Sequence, residues 1–227
     1  MPTELPQLRK EFFDRLSSLL TPYGFKYTQS WNIFTRKIDH GSDQIRFTWV
    51  SYPGDSFILE MSIGVRYDAI ENLFKEYRKY LGSYRKYTDT IGNLLPGMFR
   101  DWTGTYDISN RADMETALIN VMVTIRDIAF PYFERFSTLE AIADILWRDD
   151  DEARRLDLKE SIPYRALTAA YLLDNREAFE NVILKHVESL QIRAENSVHD
   201  AETVEEYRRF EKMLRDKWTE RDSLGNS

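Results

Sequence analysis

Two copies of Tyr-Arg-Lys-Tyr, at 77–80 and 84–87, are the most distinctive local pattern in this chain. Cations interleaved with rings can hold phosphates while bases stack, so Arg78, Lys79, Arg85 and Lys86 form a candidate patch for nucleic acid or another polyanion. The same residues also make ordinary surface, where aliphatic stems cover tyrosine faces. Gly82 lies between the copies and interrupts the helix that would align them. Asp149-Asp150-Asp151-Glu152 could draw a divalent cation. Consecutive carboxylates lack the alternating ligand spacing of a calcium loop, however, and a solvated loop is expected. His40, His186 and His199 fall in no metal-ligand pattern. With no cysteine, thiol catalysis, thiolate metal sites and disulfides are excluded. There is no phosphate-cradling glycine loop and no nucleophile elbow, so no catalytic, metal or cofactor-binding residue is nominated.

The elements that must position any site begin with residues 43–66. Ile45, Phe47 and Trp49 alternate with Gln44, Arg46 and Thr48; after Pro53-Gly54, Phe57, Leu59, Met61, Ile63 and Val65 alternate with polar neighbours. A two-residue period describes an antiparallel hairpin with one buried and one wetter face. Arg46, Thr48, Tyr52, Ile58, Glu60 and Arg66 populate the wetter face, which is the candidate partner surface.

Before this hairpin, Leu5, Leu8, Phe12, Leu16 and Leu19 predict an amphipathic helix ended by Pro22 and Gly24. Phe25–Gln29 and Asn32–Asp39 read as strands, completing a four-stranded meander. Asp68 and Glu71 then suggest a capping box for a helix carrying Ile70, Leu73, Phe74 and Tyr77. Residues 83–104 read as irregular, and Thr105–Ile108 as a short further strand. From Asn110 the period is helical: Met114 to Ile128 up to Pro131, a helix capped by Ser137 and Glu140, an antiparallel pair joined at Asp174-Asn175, and a last helix bearing Val204, Tyr207, Phe210, Leu214 and Trp218. Among the tryptophans, Trp49 is expected in the core, and Trp31, Trp102 and Trp218 as lids at element ends. The fold class is α+β: a four-stranded antiparallel meander packed on helices over 1–135, with an all-helical extension over 136–227.

Residues 1–100 hold 14 Lys or Arg against 11 Asp or Glu, while residues 101–227 hold 17 against 27. An acidic second half disfavours nucleic acid and anionic membranes and suits a protein partner. No apolar run is long enough to span a bilayer, and Met-Pro-Thr-Glu-Leu-Pro lacks the character of a signal peptide. A cytoplasmic location is the expectation.

Gly24-Phe25, Phe34, Gly64-Val65, Asp101-Trp102 and Ala129-Phe130-Pro131-Tyr132-Phe133 punctuate the helix, meander and long helix. In this, residues 8–135 resemble an uncharacterised bacterial family, domain-of-unknown-function family 4304. The resemblance implies the fold and no activity. The 163–190 pair, with Ala170, Tyr171 and Asn175 near its bend, is similar to a single tetratricopeptide unit, and one unit is not an array. The leading expectation is a non-enzymatic intracellular protein-binding module of inhibitor or immunity type. The alternative is a small-molecule-binding domain or enzyme with a pocket between meander and helices; polyanion binding through 77–87 is a third.

Overall fold

The computed structural model describes residues 5–51, 56–77, 87–98, 105–148, 150–156, 162–194 and 198–225. The chain is α+β and divides into two compact units. The first comprises residues 1–68, 89–137 and 155–157; the second comprises 69–88, 138–154 and 158–227. The segment 69–88, which the sequence reading assigned to the first region, therefore belongs to the second unit.

In the first unit α1 (Leu5–Leu20) is followed by β1 (Phe25–Thr28), β2 (Ile33–Ile38), β3 (Gly41–Ser51) and β4 (Phe57–Tyr67). These strands pair antiparallel in chain order. Among the described residues the sheet has six strands rather than four. β5 (Ile91–Leu94) and β6 (Thr105–Ile108) both pair with β4, against Ser62–Val65 and Phe57–Glu60 respectively. β5 falls inside the stretch expected to be irregular. Ile45 faces Ile63, Phe47 faces Met61 and Trp49 faces Leu59 across the central pair. The alternation thus puts Phe57, Leu59, Met61, Ile63 and Val65 on one buried face.

α1 covers that face with Leu8, Phe12, Phe13, Leu16 and Leu20. Leu19, expected on the stripe, is 44% exposed, because the buried phase of the helix runs through Phe13 and Leu20 instead. Gly24 leaves the helix with φ +83°, a left-handed conformation that an L side chain resists. After the short α3 (Leu95–Met98), α4 (Arg111–Thr124) begins at Asn110. Asn110 Oδ1 accepts from the Asp113 amide at 3.1 Å, and Asp113 Oδ2 accepts from the Ser109 amide and Asn110 Nδ2. Asn110→Ala should cost about 1 kcal/mol of stability, read as a lowered urea midpoint with unchanged slope.

Pro131, expected to end or kink its helix, does not end it. The chain widens into a π-helical turn over Ile125–Ala129, where the Phe130 amide donates to Ile125, and continues as α5 (Phe130–Arg135). Proline cannot donate to the carbonyl four residues back and its ring collides with it. The wide turn accommodates both defects.

The remaining helices are α2 (Asp68–Tyr77), α6 (Leu139–Trp147), α7 (Asp151–Leu156), α8 (Ile162–Leu172), α9 (Arg176–Ala194) and α10 (Val198–Gly225). In the second unit, α10 buries Val204, Tyr207, Phe210, Leu214 and Trp218. Trp218 sits mid-helix rather than at an element end. It meets Tyr171 and Phe179 edge-on and donates from Nε1 to Asp174 Oδ1 at 2.6 Å. Asn175 caps α9 by accepting from the Ala178 amide at 2.9 Å.

Two capping expectations are corrected. α6 is capped by Thr138, which accepts from the Ala141 amide, and not by Ser137. Glu71 reaches beyond its own helix. Its carboxylate is buried, accepting from Arg165 Nε at 2.7 Å and from Thr88 Oγ1 at 2.7 Å. His199 lies in the first turn of α10 rather than in a linker.

Candidate functional site

A hollow of about 930 Å³ in the first unit lies where α1 meets the end of the sheet. Helical spacing sets Leu5, Arg9 and Phe13 along one side of it, with Lys10 and Asp14 as a neighbouring row. The turn between β1 and β2 supplies Gln29, Ser30 and Asn32, while Tyr27, Trp49 and Phe57 come from the strands. Asn32 adopts φ +45° to close the turn, a conformation that asparagine tolerates better than most residues. Its Oδ1 accepts from Arg9 Nη2 and from the Tyr27 hydroxyl, each at 3.2 Å.

The floor is aromatic. Phe13 stacks on Tyr27 with centroids 5.1 Å apart, Tyr27 on Phe34 at 4.7 Å, and Trp49 on Phe57. The Arg9 guanidinium lies 5.2 Å over the Trp49 ring. Trp49 is half-buried, so the expected core residue is the floor of an open cleft. Burial pushes the Tyr27 phenol up to about 12; Arg9 pulls it down and Asp14 pushes it up. The phenol therefore stays protonated at neutral pH. Lys10 and Asp14 are exposed and pair with each other. Ring faces beneath a guanidinium can hold a ligand by stacking and by hydrogen bonds from the arginine.

The sheet face expected to receive a partner is broken up. Arg66 is buried, with Nε donating to Asp68 at 2.7 Å, which removes it from any open surface. Arg46 donates to both Asp89 oxygens, at 2.7 and 3.0 Å, and to Gln44 Oε1 at 2.7 Å. Gln44, expected on the wetter side, is 1% exposed. Only Thr48 is exposed among the described members, with Glu60 half-buried. Tyr52, and Arg78, Lys79, Arg85 and Lys86 of the cationic patch, lie outside the described residues. In the acidic tract, Asp150 caps α7 by accepting from the Ala153 amide, and Arg148 pairs with Asp144, Asp150 and Glu152. Among the described residues no group of three His, Asp or Glu could hold a metal ion, and no helix is long and apolar enough to cross a membrane.

Fold and cleft together define an α+β protein with an aromatic-lined cleft. No family model, curated protein or solved structure matches the chain.

Proposed function

We propose that this protein is a non-enzymatic protein-recognition module whose docking surface is the cleft between α1 and the sheet. The observation that carries this reading is the lining itself: Phe13, Tyr27, Trp49 and Phe57 beneath an arginine. Tryptophan, tyrosine and arginine dominate binding energy at protein interfaces, because they bury large area while retaining a directional polar end. Arg9 uses one hydrogen bond, to Asn32, and keeps further N–H donors for a ligand carboxylate. The partner that fits is a peptide segment with an apolar or aromatic anchor next to an acidic residue.

A peptide library selected against the purified chain tests this directly. Enriched peptides should combine an aromatic with an Asp or Glu. Arg9→Ala should weaken them roughly 30-fold, the scale of an interface residue worth about 2 kcal/mol. Selection that yields no consensus, or peptides that bind Arg9→Ala unchanged, would defeat the proposal.

A further inference from the structure

Among the described residues, the large apolar side chains that stand exposed include four on one face of the first unit: Leu19, Tyr23, Ile119 and Val123, at 42–64% exposure. Two ion pairs bring them together. Glu11 accepts from Arg111 Nη1 and Nη2 at 2.6 and 2.8 Å, and Glu115 accepts from Arg15 Nη2 at 2.8 Å. Both pairs join residues 100 positions apart, so α1 and α4 run side by side in the same direction. One further four-residue step brings Leu19 level with Ile119, and the next brings Tyr23, just past α1, level with Val123. Tyr23 reaches the end of this row: its ring lies 5.0 Å from that of Phe130, and it is close enough to Arg126 to act on its charge. The Ser18 and Thr116 hydroxyls donate to carbonyls of their own helices, each at 3.0 Å, and need no outside partner. The cleft lined by Arg9 and Phe13 is on the other flank of α1, two residues and more than half a turn away.

The charges select the occupant. At one level α1 carries an acid beside a base on α4, Glu11 with Arg111; one turn on, at Arg15 and Glu115, the signs are reversed. A half-turn about an axis lying along the pair sets α1 of one copy over α4 of another at the same level. Glu11 then meets the partner's Arg111, and Arg15 meets the partner's Glu115. Leu19 and Tyr23 meet the partner's Ile119 and Val123. An identical face is thus complementary to this one in charge and in apolarity, although the chain as a whole carries −7. A guanidinium has five donors and a carboxylate four lone-pair sites, enough for a contact within the chain and another across the axis. We infer that the α1–α4 face is a two-fold interface with a second copy of this chain, the helices of the two copies running parallel. Arg111 to Val123 spans about 18 Å and two helices about 20 Å, less than the roughly 800 Å² per partner of a standard interface, so the dimer forms at micromolar or higher concentration.

Sedimentation equilibrium of the full chain over about 1–500 μM should show monomer giving way to dimer and to nothing larger. Ile119→Lys, at an exposed position, should weaken the dimer roughly tenfold or more, because each substitution counts twice about the axis. Charge reversal reads the register. Arg15→Glu sets acid against Glu115 twice, and Glu115→Arg sets base against Arg15 twice, so neither variant should dimerise alone. Both alter an exposed pair and should fold. An equimolar mixture of the two places opposite signs together at both contacts and should restore dimerisation. An ion pair serving only its own chain could not be rescued in this way, since each chain stays mismatched internally. A chain monomeric at the highest concentration, a dimer indifferent to Ile119→Lys, or a mixture no better than its components would each overturn the assignment. So would a monomer that floats with phosphatidylserine vesicles and is released by Ile119→Lys, which gives the face to a membrane.

Discussion

Arg165→Met should destabilise the second unit by about 3–5 kcal/mol, the cost of stranding one member of a buried ion pair. Arg165 and Glu71 have side chains only 5% and 2% exposed, with Arg165 Nε 2.7 Å from Glu71 Oε1. The guanidinium also lies 5.6 Å from the Phe74 ring. Glu71 would keep the Thr88 hydroxyl and lose the Arg165 charge. Glu71→Gln should cost a similar amount from the other side. The double variant Glu71→Leu, Arg165→Met removes both charges of this pair and should recover most of the loss, because desolvating the pair offsets much of its attraction. Urea unfolding of the four proteins measures the cycle. An exposed pair sets the scale. Arg215 also grips Glu180 with two hydrogen bonds, at 2.6 and 2.7 Å, yet both side chains are about half exposed. Glu180→Gln should cost no more than about 1 kcal/mol. If the two pairs cost the same, burial is not what makes the Glu71 pair matter.

The Glu71 contact also shows where the sequence stops being readable. A carboxylate three residues after an aspartate has the same spacing whether it caps its own helix or meets an arginine 94 residues away. Local pattern cannot separate the two. The sheet was legible at β3 and β4 because eleven residues in each strand repeat one alternation. β5 was not, since Ile91-Gly92-Asn93-Leu94 is too short to show a period and contains a glycine that reads as a loop. Alternation also says which side a residue faces, not whether that side is wet. Gln44 and Arg66 point away from the α1 face and are buried all the same. The cleft was least visible: Arg9, Tyr27 and Trp49 come from three elements, and each looks ordinary alone. The paired Phe12-Phe13 was the available hint, as it gives α1 a wider aromatic face than a single stripe requires.

Gly92→Ala should cost the sheet about 4 kcal/mol. Gly92 lies opposite Gly64 in the β4–β5 register, with φ +156°. A Cβ there would fall 2.5 Å from Gly64 Cα and 2.5 Å from the Ile63 carbonyl oxygen. Backbone on the neighbouring strand cannot swing aside as a side chain can. A Gly-only backbone conformation costs roughly 1–3 kcal/mol, and overpacking adds a similar amount. Gly64 is crowded for another reason. Its added Cβ would lie 2.4–2.8 Å from the Asp89 carboxylate, which crosses the glycine to reach Arg46. The Thr90 amide, donating to the Val65 carbonyl at 2.8 Å, and Thr90 Oγ1, accepting from the Tyr67 amide at 2.8 Å, hold this stretch against β4. Gly64→Ala should therefore act by evicting Asp89, and its cost should fall by roughly 1–2 kcal/mol when Asp89 is already alanine. Gly92→Ala should cost the same with or without Asp89, because its obstacle is main chain. A Gly64 penalty indifferent to Asp89 would mean that the carboxylate yields freely and that the Arg46–Asp89 pair does not fix this edge of the sheet.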